Sequence, residues 1–578
     1  MNPFHEIEAT THGTGSFNLR TRSLAVDMIL KAGLMEKKLS MVELYDTTLR
    51  DGTQYEGISL SVNDKLAIAS RLDELGVHYI EGGWPGSNPK DVEFFEKARQ
   101  LKLSNASLVA FGSTRRANVS VEADANIQAL VEARTPVVTL VGKAWDLHVA
   151  KILNTSLEEN LAMIFDSVAF LKAKGRRVFF DAEHFFDGLK ANRYFATQVV
   201  KTAFEAGAER IVLCDTNGGS LPQEIADAVI AMKQETSAIL GIHTHNDADT
   251  AVAGALAAVQ AGAVQVQATI NGYGERCGNA NLLSIIANLK LKLGVDCISE
   301  EQLNSLTEVS KFVSQITNMP HRSWQPFVGA SAFTHKGGLH AQAVSKMEQS
   351  YQHVNPEVVG NAKRVLVSEL SGRSNILYKI RELGLDVALD NDSARELLEV
   401  VKRKENEGFQ YEGAEASFEL LVRRMVGKYR RSFDLVDFTT VVEARGGESG
   451  EANMKAQVML KVSVNGEVIL TAADGNGPVN ALDHALRKAL VQFYPSIENV
   501  TLVDYKVRVV DLGLGTGSVV RVLIDSTDGQ IAWSTVGASG NIIEASWMAL
   551  SDSLEYWLLR YGQHRVHSED IIKNITTS

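Results

Sequence analysis

Two histidines one residue apart, His243-Thr244-His245, close the apolar run Ile239-Leu240-Gly241-Ile242 and open into Asn246-Asp247. On a β-strand, residues two apart share a face, so both imidazoles project to one side at the strand's end. Neutral imidazole nitrogen is a good ligand for a divalent transition metal. Asp51, in Arg50-Asp51-Gly52-Thr53, can add a carboxylate and Asn279 an amide oxygen. Two imidazoles, one carboxylate and one neutral oxygen leave positions open on an octahedral ion such as Mn, Co, Zn or Mg. An ion with open positions can chelate a 2-oxo acid through its carboxylate and ketone oxygens and polarise the ketone. Each residue also has an ordinary structural reading. The histidines can be hydrogen-bonded beside a polar turn, Asp51 can be a turn residue, and Asn279 can cap a helix ahead of Leu282.

The elements that must position these residues follow an alternating rhythm. Short apolar runs occur at Val42–Asp46, Tyr79–Gly82, Leu108–Phe111, Val137–Val141, Val178–Glu183, Ile211–Asp215, Leu240–His245 and Ala263–Ile270. Segments with apolar residues at helical spacing lie between them, among them Asn63–Leu75, Leu157–Ala173, Arg193–Ala206 and Asp249–Ala261. Eight βα units in succession predict an α/β fold, a (β/α)8 TIM barrel, over a doubly wound sheet that shares the alternation. A barrel requires functional residues at the strands' C-terminal ends. Asp46, Arg50 and Asp51, Glu81, Glu183, Asp215-Thr216, the two histidines and Asn271–Asn279 all fall there.

Composition narrows the class. The chain has 578 residues, 45% of them hydrophobic, with 58 basic and 70 acidic residues giving a net charge of −12. That balance gives no overall pull toward nucleic acid or an anionic membrane, and no apolar run is long enough to span a bilayer. Three cysteines, Cys214, Cys277 and Cys297, make no disulfide framework or paired-cysteine zinc motif. This fits a reducing compartment and a cytoplasmic location. Residues 1–41 read as an N-terminal extension whose acidic residues argue against a targeting peptide.

Longer stretches carry a family likeness. Leu44-Tyr45-Asp46-Thr47-Thr48-Leu49-Arg50-Asp51-Gly52-Thr53-Gln54, His243-Thr244-His245-Asn246-Asp247 and Asn271-Gly272-Tyr273-Gly274-Glu275-Arg276-Cys277-Gly278-Asn279 resemble signatures of the 2-isopropylmalate synthase and homocitrate synthase family. Gly82–Asp91, Asp181–Gly188 and Phe333–His340 look closest to its citramalate synthase branch. The resemblance implies an acyltransferase that condenses acetyl-CoA with a metal-bound 2-oxo acid, pyruvate in that branch, and hydrolyses the thioester, in isoleucine biosynthesis. It also implies roles. Asp51, His243, His245 and Asn279 match metal ligands. Arg50 matches the residue that neutralises developing oxygen charge, a task suited to a guanidinium. Thr216 matches a hydroxyl on the oxo acid's carboxylate, Glu183 the active-site carboxylate, His340 a histidine that exchanges protons with it, and Tyr351 a nearby tyrosine. His340 read alone is rather a helix-face histidine packed against Gly337-Gly338. Cys277 is expected to pack in a glycine turn rather than act as a nucleophile, and Phe185-Phe186 to pack. His184 and His335 are expected behind the site at most. Two residues depart from the family pattern. Asp249 stands where glycine is usual and is expected to begin the next helix, and Tyr55 either narrows the pocket or turns outward.

Beyond the barrel, set at residues 42–300, residues 301–416 read as helical linker subdomains, with a hinge at Lys402–Gly413. Residues 417–565 read as an α+β domain of two βββα repeats, in which Ala481, Ala485 and Leu486 correspond to Ala545, Ala549 and Leu550. The domain resembles the family's regulatory domain, which implies a homodimer with isoleucine as effector. Gly513–Gly517 reads as a hairpin turn, because it opens no helix and so lacks the context of a dinucleotide loop. Rival readings are a synthase for a larger 2-oxo acid, a lyase running the reverse cleavage, and a non-catalytic amino-acid sensor.

Overall fold

The computed structural model describes residues 41–561, apart from short stretches at 337–339, 341–342, 344–346, 348–349, 368–371, 386–390, 428, 447–451 and 511–514. Eight parallel strands close into a barrel: β1 Glu43–Asp46, β2 Tyr79–Gly83, β3 Ser107–Ser113, β4 Val137–Lys143, β5 Arg177–Glu183, β6 Arg210–Asp215, β7 Leu240–Thr244 and β8 Gln265–Ala268. Closure is made by β1 against β8, in register from Glu43 with Gln265 to Asp46 with Ala268. The strands read as near-continuous apolar runs because both faces are covered, one by helices and one by the barrel's own interior. Tyr79 and Phe179 show that the interior is packed. Their strands are not neighbours, yet the rings meet edge to face at 5.0 Å.

Local chemistry sets the helix boundaries. Ser61 caps the helix Val62–Leu75 in a reciprocal box with Asp64, and Gly76, at φ +87°, ends it. Asn88 with Pro89 at the first turn starts Pro89–Ala98, and Asp124, Ser156 and Asn192 cap the helices that follow them. Two short helices, Asp146–Lys151 and Phe185–Ala191, follow β4 and β5 and have no counterpart in the predicted series. The seventh and eighth strands stop earlier than predicted. His245 lies just past β7 in a bridge to Asn279. Residues Ile270–Gly272 form a turn in which Asn271 has φ +60°.

The chain divides into two compact units. The first runs to Ala332 and takes in Val354–Ala362. The second contains two short strands, β9 Thr334–His335 and β10 Arg364–Val365, and helices including Asn391–Asn406 and Glu415–Met425. Ser417, where alternating strands were predicted to begin, is inside the latter helix, and Lys402 continues the former rather than opening a hinge. Two antiparallel sheets follow. They are β11 Asp434–Gly446, β12 Ala452–Val464 and β13 Glu467–Gly475, then β14 Thr501–Val509, β15 Val520–Thr527 and β16 Ala532–Ser539. Each precedes a helix, Pro478–Leu490 or Ile542–Tyr561. The matched residues Ala481, Ala485, Leu486, Ala545, Ala549 and Leu550 are all buried in the core that both repeats share. Of the predicted hairpin turn, Gly513 and Leu514 lie outside the described residues, and Gly515–Gly517 forms a single 3-10 turn.

Candidate metal centre and active site

Asp51, His243 and His245 converge at the C-terminal end of the barrel, with one ligand atom from each lying within 4.8 Å of the others. His243 Nε2 is 3.3 Å and His245 Nε2 3.9 Å from Asp51 Oδ2, and the two ring nitrogens are 3.2 Å apart. Three Lewis bases aimed at one point require a proton or a cation between them. Asn279 Nδ2 donates to the same Asp51 oxygen at 2.9 Å, while its amide oxygen is buried without a hydrogen-bond partner. Backbone bonds hold Asn279 there. Its N–H donates to Gly272 O at 3.1 Å, and the next N–H, of Ala280, donates to Thr244 O at 3.0 Å. Gly278 makes this approach possible. It has φ +88°, and a Cβ there would lie 2.0 Å from Gly272 O.

The donor set fits a divalent cation. It supplies a carboxylate, two imidazoles and an orphaned amide oxygen, all buried. The electrostatics suit it too. Burial alone would raise the Asp51 carboxyl, but Arg50 and the two imidazoles overturn this and hold it well below the carboxylate range. Burial, with His243 adding, pulls His245 down to about 3, so its ring stays neutral.

Arg50 connects this cluster to a second one. Its Nε donates to Glu81, and its guanidinium stands 3.6 Å from Asp51 Oδ1 and lies over the Phe111 ring, 3.8 Å from its centroid. Glu81 is fully buried and also accepts from Tyr45 and, at 2.9 Å, Thr47. Asp181, on β5, is pushed up to about 7 by burial, with the charge of Glu81 adding.

Above these residues opens a cavity of about 370 Å³. Trp84 and Phe111 form an aromatic wall, with ring centroids 5.3 Å apart, and Trp84 Nε1 is anchored on Asn126 at 2.7 Å. Glu183, at the end of β5, pairs with Lys143 at the end of β4. Thr216 Oγ1 accepts the His184 N–H at 2.8 Å, which leaves its own hydroxyl proton free to be donated. Arg276 forks onto Asp247 at 2.7 and 2.9 Å and reaches Thr216 O at 2.8 Å, tying the Gly-rich loop to β6 and β7.

Arg50, Asp51, Glu183, Thr216, His243 and His245 therefore share one cavity, and Asn279 touches it through Asp51. His340 and Tyr351 belong to the other unit, where their rings stack at 4.4 Å and both are exposed. Two strand-end carboxylates take no part. Asp46 accepts from the N–H and hydroxyl of Thr48, and Asp215 from those of Ser220, so both shape their own loops. Asp249 does not begin the helix, which starts at Ala251. It adopts φ +57°, the left-handed angle that glycine favours, and accepts from Asn246 Nδ2 at 3.2 Å. Asp tolerates this region better than most residues. Tyr55 turns outward, against Tyr273 at 5.7 Å. Cys277 is exposed rather than packed, whereas Phe185 and Phe186 are buried. His184 lies behind Thr216 and pairs with Asp187, and His335 belongs to the other unit. Lys143, Asp181 and Gln267 escaped sequence reasoning. A signal was present in the strand alternation, since Asp181 shares the inward face of Glu183, and Gln267 is an amide within an apolar strand.

Known proteins place the chain. Residues 41–313 match the HMGL-like family, residues 327–408 the homocitrate synthase post-HMGL domain-like family, and residues 412–558 the LeuA allosteric (dimerisation) domain. An (R)-citramalate synthase of Geobacter sulfurreducens is 54% identical over 90% of this chain and 98% of that protein. Those of Aquifex aeolicus and Synechocystis are 51% identical over 90% and 98%, and 50% identical over 91% and 97%, respectively.

Proposed function

This chain belongs to the (R)-citramalate synthase family, and from that premise we propose that its barrel site condenses acetyl-CoA with pyruvate and hydrolyses the thioester to give citramalate and CoA. The observation that carries the reading is the convergence of Asp51, His243 and His245 beside Arg50 at one cavity. Asp51, His243, His245 and Asn279 would hold a divalent ion, Mn, Mg, Zn or Co. Such an ion, when bound, supplies Lewis acidity to a chelating 2-oxo acid.

The chain's own residues do the remaining work. Arg50, held between Glu81 and Phe111, keeps a permanent positive charge beside the oxygen that becomes an alkoxide as the new carbon–carbon bond forms. Thr216 donates its free hydroxyl proton to the oxo acid's carboxylate. Glu183 is the barrel's own active-site carboxylate, and the family resemblance assigns the acetyl methyl proton to His340 with Tyr351, imidazole being a base that works near neutrality. The stacking of His340 on Tyr351 supports treating them as a pair. Trp84 and Phe111, which line the cavity, are assigned to limiting the size of the oxo acid it takes.

The same reading extends to regulation and assembly. The family resemblance assigns isoleucine, in isoleucine biosynthesis, as the feedback ligand, and a match to an allosteric dimerisation domain supports a homodimer. So does the first C-terminal sheet, which exposes Met459, Val468 and Leu470 on one face. We assign the enzyme to the cytoplasm on its free cysteines. Among the described residues no helix is long and apolar enough to cross a membrane.

CoA release measured with acetyl-CoA and pyruvate, 2-oxoisovalerate or 2-oxoglutarate tests the reading. Pyruvate is expected to be preferred, and a clear preference for a larger acid overturns the assignment. Repeating the assay with isoleucine and leucine tests the effector.

A further inference from the structure

Gln267 lies on β8, 1% exposed, with both ends of its amide engaged. Its Oε1 is 3.0 Å from His243 Nδ1, and its Nε2 donates to Asp181 Oδ1 at 2.9 Å. The chain Asp181–Gln267–His243 therefore spans β5, β8 and β7 inside the barrel. We propose that Gln267 is a positioning residue that fixes the tautomer of His243, and with it the cation affinity of the cluster; this rests on the metal reading above.

A glutamine amide can present either its oxygen or its nitrogen to a neighbouring ring. Asp181 removes that freedom, because its Oδ1 takes the hydrogen bond from Gln267 Nε2 at 2.9 Å. The amide nitrogen must then face Asp181, and the amide oxygen must face His243. An oxygen acceptor requires the proton on Nδ1, so the lone pair of a neutral His243 sits on Nε2, the nitrogen aimed at Asp51 and His245. His245 has no such guide, because its Nδ1 is buried without a partner. The two histidines are thus unequal. His243 is held ready by the fold, whereas His245 is oriented only by what shares its Nε2. Carboxyl or carbonyl groups behind a ligating imidazole commonly set its ring orientation, and their loss weakens metal binding by about 10–100-fold.

The test is titration of the chelated full-length protein with Co2+, read by visible absorption and by competition with a fluorescent chelator. Gln267→Met keeps the volume and removes both polar ends. Its Co2+ Kd is expected to rise by about 10–100-fold. Gln267→Glu keeps an oxygen toward His243, shares one proton with Asp181 on its other side, and is expected to recover most of that loss. A merely space-filling role predicts the opposite pattern, an unchanged Kd in the methionine variant. A Kd within about 2-fold of wild type for Gln267→Met, or a glutamate variant as weak as the methionine one, overturns the inference. If Gln267→Met does not fold, Asp181→Leu is read instead. It leaves Gln267 in place but frees the amide to turn, and an unchanged Kd there also overturns the inference. Co2+ binding as tight in His243→Ala as in wild type would instead overturn the metal reading itself.

Discussion

Replacing Arg50 by methionine removes the guanidinium that faces both Glu81 and Asp51 and keeps a chain able to pack against Phe111. Glu81 is then a buried carboxylate whose remaining partners are the Tyr45 and Thr47 hydroxyls. Removing one partner of a buried ion pair costs about 3–5 kcal/mol. The two hydroxyls that remain put this site near the lower bound, about 3 kcal/mol. For a barrel of this size that is a fall of about 6–12 °C in the barrel's thermal transition. Differential scanning calorimetry of wild type, Arg50→Met, Glu81→Gln and the double variant measures it. Neutralising Glu81 removes the stranded charge, so the double variant is expected to regain most of the lost stability. CoA release is expected to fall by about 10²–10³-fold in Arg50→Met, as for loss of one oxyanion-stabilising donor, and to stay low in the double variant. A transition unmoved by Arg50→Met, or stability that Glu81→Gln does not restore, refutes the ion-pair reasoning. Restored activity in the double variant refutes the role given to Arg50.

Other outcomes follow from single contacts. Asp249→Val puts a β-branched residue at φ +57° and should cost about 1–3 kcal/mol in denaturant unfolding; an unchanged midpoint would mean that the loop readily takes another path. Lys143→Met strips Glu183 of its partner and is expected to lower kcat/KM for pyruvate by about 10–100-fold, the worth of a charge-assisted hydrogen bond, with the Co2+ Kd unchanged. A normal kcat/KM would remove Lys143 from the site. Exhaustive chelation should abolish CoA release, and a cation restored at about 100 times its Kd should return activity and add about 2.7 kcal/mol of stability; full activity in the chelated protein contradicts the metal assignment. In the second unit, burial raises the Glu415 carboxyl, but Lys379 and Arg364 overturn this and hold it below its ordinary value. Its contribution is therefore complete above the unfolded carboxyl pKa and is lost as pH falls through the folded one. Acid unfolding of Glu415→Gln, compared with wild type, should lack that part of the slope.

Much of the catalytic end was legible because strand geometry is local. Alternation along β7 puts His243 and His245 on one face whatever surrounds them, and eight apolar runs with helical spacers point to a closed barrel. The same local rule was silent on which strand-end acids enter the cavity. Asp46 and Asp215 are spent on the N–H groups of their own loops, and this depends on turn conformations that a residue type does not specify. Asp249 shows the converse. Its type suggests a helix start, but the bond from its N–H to Asn246 O and the helix beginning at Ala251 force it into the left-handed region.

The sequence by itself determined the strand rhythm, the shared face of the two histidines and the motif residues that supply Arg50, Asp51, Thr216 and Asn279. Tertiary structure alone decided the pairings between strands. Gln267 meets His243 because β7 and β8 are neighbours, but it reaches Asp181, 86 residues away, only through the barrel interior. Asn279 reaches Asp51 across 228 residues because β1 and β8 close the barrel. Lys143 finds Glu183 because the register of β4 against β5 sets them side by side. Spacing along one strand fixes a face, whereas contact between strands depends on closure and register, which are settled by the packing of the whole barrel.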